Sequence, residues 1–271
     1  VPQIAIQIYT VLDKTMIGKL TGNMVEVGYY EQAQKIVKAA LTVIAALQTV
    51  MNSRIANAYA SKNEKEVKDC LKKSFDFVWI LAIPMVFGLI AVAPKFVPWY
   101  YGEGFDGVTP ILIATAPILI ATGLNGITGI QYLVQIGKQK IFTMSVTIGA
   151  ITNVILNLIL IHFFNGVGAA IASVIAEIVI FGIQLKYFKE QFKILEILKL
   201  GIKCFISGLV MFIVVKLLTD TLPISIINTI IEVIIGGTIY VVVLMILKYE
   251  FLKDLINQLL SGLKMKKGRD M

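Results

Sequence analysis

Three stretches of this chain run uncharged for longer than a soluble fold tolerates. Val108 to Gly137 contains no Asp, Glu, Lys or Arg, nor does Ile141 to Ile161, nor Phe77 to Ala93. A helix needs roughly 20 predominantly apolar residues to cross the ~30 Å hydrocarbon layer, so each stretch is close to span length. The composition agrees: 57% of residues are hydrophobic and 15% charged, with a mean hydropathy of +0.82. Soluble domains are about 45–50% apolar and about 25% charged. The chain therefore reads as an all-α integral membrane protein. Membrane β-barrels are excluded, because their strands alternate polar and apolar in far shorter segments.

The pattern predicts about eight transmembrane helices, near 1–18, 29–57, 75–97, 110–136, 141–162, 167–187, 203–218 and 226–248. Gly22 and Gly28, Pro94 and Pro98, Gly102 to Gly104, Gly137-Lys138, Asn165-Gly166 and Asp220 to Pro223 are expected to interrupt them. The chain opens Val1-Pro2 inside an apolar run, with no basic n-region and no small-residue cleavage site. It reads as a piece of a longer protein.

Lysine and arginine resist translocation, so their distribution sets the orientation. Alternate loops are basic. One holds Lys62, Lys65, Lys68, Lys72 and Lys73; the next has Lys138 and Lys140; a third has Lys186, Lys189, Lys193, Lys199 and Lys203. The tail adds Lys248, Lys253, Lys264, Lys266, Lys267 and Arg269. The intervening loops have Lys19, Lys95 and Lys216, beside Glu26, Glu103, Asp106 and Asp220. A contrast of 18 against 3 predicts that the first span runs inside to outside and that the C-terminus is cytoplasmic.

The net charge of +8 sits in loops and tail, which favours anionic lipid headgroups over nucleic acid as the partner. Cys70 and Cys204 lack any CxxC spacing and His162 is the single histidine, so neither a metal site nor a redox motif is expected. Both cysteines are expected on the reducing side. Residues 249–271 repeat apolar pairs at helical spacing, as in Phe251-Leu252, Leu255-Ile256 and Leu259-Leu260. This predicts a basic amphipathic helix, either in the membrane plane or docked on the bundle.

Ionisable groups inside a bilayer are costly and usually face protein, water or a charge partner. Asp13 and Lys14 sit late in the first span; adjacent residues on a helix diverge, which predicts different partners for them. Lys35 and Lys38 share a face of the second span, with Glu31 one turn before Lys35 and placed to pair with it. Glu177 interrupts the sixth span and Glu232 the last. Each has a plain reading as an ion pair or a span-end group reaching water. Asn153 and Asn157, four apart, read best as packing glue between helices. Gly166, Gly168, Ala169, Ala170, Ala172, Ser173 and Ala176 form a small-residue face for close helix approach. There is no P-loop, no nucleophile elbow and no paired carboxylates near a histidine, so a transporter is favoured over an enzyme.

The segments VLDKTMIGKLTG and EVGYYEQAQKI resemble the seventh and eighth helices of bacterial polysaccharide flippases, the Wzx-type members of the MOP superfamily and relatives of the MATE drug exporters. NVILNLILIHFFNGVGAAIASVIAEI is similar to the eleventh and twelfth, with paired Asn and a Gly-Ala-Ala turn. His162 stands where that family often has proline. The resemblance implies a MATE-like six-helix lobe at residues 1–200, the C-terminal one of two, plus two additional transmembrane helices at 201–248 and the tail at 249–271. It also implies an undecaprenyl-diphosphate-linked oligosaccharide as substrate, flipped across the cytoplasmic membrane for capsule, exopolysaccharide or O-antigen assembly. No cofactor is implied, proton or sodium coupling is possible, and polysaccharide polymerase machinery is a conceivable partner. Asp13, Lys14, Tyr29, Tyr30, Gln32, Asn153 and Asn157 are the family-like positions. Adding the ionisable residues gives a candidate transport set of Lys38, Lys35, Asp13, Lys14, Tyr30, Gln32, Asn153, Asn157 and Glu177. The alternatives are a MATE-like exporter of organic cations, whose cavity should be acidic, and a membrane-embedded glycosyltransferase or ligase, which needs a large external loop.

The orientation is directly testable. Glu103→Cys and Asp220→Cys are expected to react with a membrane-impermeant thiol reagent in intact cells, and Asn63→Cys and Gln139→Cys to be protected. External labelling at position 63 reverses the orientation.

Overall fold

The computed structural model describes residues 2–188 and 194–253. They form α1 (Pro2–Thr21), α2 (Met24–Ala60), α3 (Glu64–Tyr101), α4 (Val108–Thr115), α5 (Ile118–Asn125), a π-helix (Gly126–Val134), α6 (Gln139–Phe188), α7 (Ile194–Thr221) and α8 (Ile226–Ile246). No strand occurs among the described residues. Six helical stretches are long and apolar enough to cross a membrane: α2, α3, the composite 108–134, α6, most of α7, and α8. Helix α6 is bent back on itself at Asn165, whose backbone is non-helical (φ 50°, ψ −130°), so its 50 residues make two antiparallel arms. With α1, which carries Asp13, Lys14 and Lys19, this gives the eight expected rods.

The α6 hairpin is folded tightly because its turn residues permit it. Asparagine enters positive φ more readily than most residues. Three residues on, a methyl group at Gly168 would lie 2.2 Å from the carbonyl oxygen of Leu160. Helices α1 and α2 form a second hairpin. Gly22 takes φ +64°, and Asn23 caps α2 by accepting from the Val25 amide.

Helix α2 buries Tyr30, Val37, Ile44, Met51 and Ala58, a seven-residue repeat that keeps one seam against the bundle. Helix α3 lies parallel to α7. The Trp79 indole donates to the Ile197 carbonyl at 3.1 Å, Phe87 meets Phe205 and Phe212, and Lys95 donates to the Leu222 carbonyl. Helix α8 returns antiparallel, so that Trp99 bonds Thr229 and Asp76 meets Tyr249 beyond its end. Because lipid tails are as apolar as the helix surfaces, close packing and interhelical hydrogen bonds hold such a bundle together.

Several expected boundaries move. Gly28, Pro94 and Pro98 do not break their helices: α2 begins at Met24, and α3 runs through Pro84, Pro94 and Pro98. Neighbouring helices supply the protein surroundings in which proline is tolerated inside a span. The span expected at 110–136 is broken at Pro117 and ends in the π-helix. The amphipathic tail lies mostly outside the described residues. Cys70 and Cys204 are free and buried, and His162 is exposed.

The Leu160 contact fixes one outcome. Gly168→Ala is expected to destabilise the protein by about 1–3 kcal/mol through overpacking, whereas Gly182→Ala, with nothing within 4 Å of the added methyl, should be close to neutral. Thermal unfolding in detergent measures both; equal stability would remove the tight turn as a constraint.

Candidate functional site: a buried carboxylate and an open cationic face

The hairpin of α1 and α2 sets residues 17 apart against each other. Asp13 meets Tyr30, whose hydroxyl donates to Oδ2 at 2.8 Å, and Lys14 meets Glu31 at 3.0 Å. The neighbouring residues of α1 thus have separate partners, as their helical geometry requires. The α6 hairpin completes the environment of Asp13. Asn157 donates to Oδ1 at 2.6 Å, and Ser173 donates to Oδ2 at 2.9 Å. Asn157 also donates to Asn153 Oδ1 at 3.1 Å, and Asn153 to Ser173 Oγ at 3.2 Å. Asp13, Tyr30, Asn153 and Asn157 have no exposed surface, and Ser173 is 3% exposed. Asn157 Oδ1 has no hydrogen-bond partner among the described residues. The result is a closed polar ring around one carboxylate, built from four helical segments.

Lys35 and Lys38 lie elsewhere. Both are exposed on the open side of α2, away from the seam of buried residues. The expected Glu31–Lys35 pair is absent, because the hairpin register gives Glu31 to Lys14; Lys35 donates instead to Gln32 Oε1 at 3.3 Å. With α2 starting at Met24, Lys35 and Lys38 stand roughly 16 and 21 Å along the helix, at 1.5 Å per residue. Among the six helical stretches long and apolar enough to cross a membrane, α2 is the least buried and the composite 108–134 the most. Thr42, Val43, Thr49 and Val50 continue its exposed face. Tyr29, also family-like, holds the α3–α4 loop by donating to the Gly104 carbonyl at 2.9 Å.

Glu177 does not join either group. It is buried, and Asn125 donates to its Oε2 at 2.5 Å and to its carbonyl at 2.9 Å. Nearby, Thr128 donates to Gln184, which donates to Ser145, and Gln131 donates to the Gln48 carbonyl. None of these last five was singled out from sequence, since uncharged polar residues scattered along apolar helices announce no partner. Ser173 enters the sequence reading only as part of a small-residue face. Its spacing of 20 from Asn153 becomes informative once the turn at Asn165 is known.

A third feature is an apolar groove of about 440 Å³ between α3, α7 and α8, reached also by Ala40 and Leu112. Glu232 is the single charged residue in its lining. It is 1% exposed, and neither carboxylate oxygen has a hydrogen-bond partner among the described residues.

The described residues thus form a bundle of membrane-length helices that leaves α2 open on one side and holds a buried carboxylate between two hairpins. Its fold matches the lipid II flippase MurJ in an inward closed conformation, with a TM-score of 0.77 at 24% identity, over 94% of this chain and 53% of that one. Residues 2–110 match the family described as "Polysaccharide biosynthesis protein". The probable low-salt glycan biosynthesis flippase Agl15 of Haloferax volcanii is 25% identical over 169 residues, covering 62% of this chain and 35% of the relative. The lipid II flippase MurJ of Bacillus subtilis (strain 168) is 24% identical over 191 residues, covering 65% and 34%. The chain thus spans about a third of the length of these curated relatives. The fold is thus that of MurJ, and both curated relatives are named as flippases.

Proposed function

We propose that this chain forms the C-terminal lobe of a flippase that carries an undecaprenyl-diphosphate-linked oligosaccharide across the bacterial cytoplasmic membrane. Residues 1–200 would be the six-helix lobe, 201–248 the additional pair, and the C-terminus cytoplasmic. The observation that carries the reading is the exposure of Lys35 and Lys38 on the least buried span. A lysine facing lipid at mid-depth costs about 2.5–3.5 kcal/mol. Two on one open stripe therefore call for water, a second lobe and an anionic cargo rather than acyl chains. A diphosphate crossing a low-dielectric cavity needs fixed positive charge for the same reason. The apolar groove beside α2 suits a length of prenyl chain. A cation exporter would want acidic residues where these lysines stand, and the α3–α4 and α7–α8 connections are too short for an external catalytic domain. Polysaccharide polymerase machinery remains a natural partner downstream.

Lys38→Gln is expected to impair polysaccharide export severely at normal abundance and membrane insertion. Lys38→Arg should retain much of it, because a diffuse electrostatic contact tolerates that exchange better than a bidentate one. Export at the parental rate by Lys38→Gln would sink the cationic-cavity argument.

Asp13 bears on energy coupling. Its carboxylate accepts three hydrogen bonds but has no ion-pair partner among the described residues, Lys14 being held by Glu31. A buried charge of this kind needs a proton or a cation to offset its desolvation, and the surrounding amide and hydroxyl oxygens are ligands that a hard cation accepts. Asp13→Asn removes the charge and keeps the shape. Export by this variant should lose its dependence on the sodium or proton gradient; an unchanged dependence would place coupling elsewhere.

A further inference from the structure

The basic end of the α3–α7 pair holds a cleft of about 420 Å³ that the transport reading does not use. Lys72 and Lys73 line it from α3, and Lys199 and Lys203, one turn apart, line it from α7. The segment after α8 closes it. There the Tyr249 hydroxyl donates to Asp76 Oδ1 at 2.6 Å, and Phe251 packs edge-on against Phe77 at 4.8 Å. Tyr249 and Asp76 are 6% and 5% exposed, so this pair is buried.

Three carboxylates share the lining: Asp69, Asp76 and Glu250. None is ion-paired with the four lysines among the described residues, and Asp76 is turned to Tyr249. Lys203 donates to the Lys248 carbonyl at 3.2 Å, which ties α7 to the segment after α8. Four lysines from two helices therefore line one cleft with three carboxylates, and none of the four is within ion-pair distance of a carboxylate among the described residues.

The level of the cleft identifies the anion. Lys72, Lys73 and Asp76 immediately precede the uncharged run of α3 that starts at Phe77, and Lys203 precedes the uncharged run of α7 that starts at Cys204. Helix α8 ends at Ile246, just before Tyr249. The cleft thus sits where three spans leave the hydrocarbon, at headgroup depth, with apolar Leu200 and Phe251 on its lining. We propose that it binds the phosphate headgroup of an anionic membrane phospholipid, fastening the α7–α8 pair to α3. This goes beyond the flippase reading and does not depend on it.

The 271-residue chain, purified in detergent with equal amounts of phosphatidylglycerol and phosphatidylcholine, provides the test by native mass spectrometry of retained lipid. Phosphatidylglycerol should be retained in preference to phosphatidylcholine. Lys199→Gln/Lys203→Gln should lower that retention about twenty-fivefold, at roughly fivefold per lysine. Lys138→Gln/Lys140→Gln, which removes the same charge from another loop, should leave it unchanged. Equal retention of the two lipids, or equal loss in both double variants, would overturn the proposal by reducing it to bulk charge. Displacement by 10 mM inorganic phosphate would assign the cleft to free phosphate instead. Retention of undecaprenyl diphosphate with no phosphatidylglycerol would assign it to the substrate. Either result also rejects the proposal.

Discussion

A single carboxylate organises the centre of the lobe. Asp13 is fully enclosed, and the groups that answer it come from α2 and from both arms of α6. Hydrogen bonds to a charged group contribute about 1.5–3 kcal/mol each, while leaving such a group unanswered costs more. The two hairpins are therefore joined at their middles by something far more specific than apolar contact, which in lipid discriminates poorly between partners. Lys14, one position along, is excluded from this arrangement by helical geometry and is left to Glu31 near the surface.

Helix α2 lives in two environments at once. Its seven-residue seam of Tyr30, Val37, Ile44, Met51 and Ala58 faces the lobe, and Tyr30 delivers its hydroxyl to Asp13. The other side carries Lys35 and Lys38 in the open. Any displacement of α2 that alters its open side must also act on the bond at Tyr30. One rigid element thus links the open face to the buried charge through a distance of a few turns.

Much of this was legible beforehand, and the parts that were not have physical reasons. Eight rods and their sequence of breaks follow from uncharged runs and turn residues. The ends of α2 and α3 were underestimated because hydropathy reports only where a helix is apolar; Lys-, Glu- and Asn-rich flanks continue as good helix outside the membrane. Pro94 and Pro98 misled because their cost is offset by neighbours that sequence does not reveal. Asp13, Tyr30, Asn153 and Asn157 stand out singly as family-like positions, but nothing in the sequence brings them together, and Ser173 is hidden among small residues. The pairing of Glu31 depended on hairpin register, which a helical wheel of α2 alone leaves open.

The separation of the Asp13 ring along the chain has a consequence for biogenesis. Tyr30 follows Asp13 by 17 residues, but Asn157 and Ser173 follow by 144 and 160. At about 5–20 residues per second of synthesis, the carboxylate waits roughly 7–32 s for its amide and serine donors. During that interval the Tyr30 hydroxyl is the only one of its three donors that has been made. The first hairpin must therefore be sheltered at the insertion machinery, or rest near the aqueous boundary, until the ribosome has delivered the second. The polar centre is complete only once the last-made hairpin is in place.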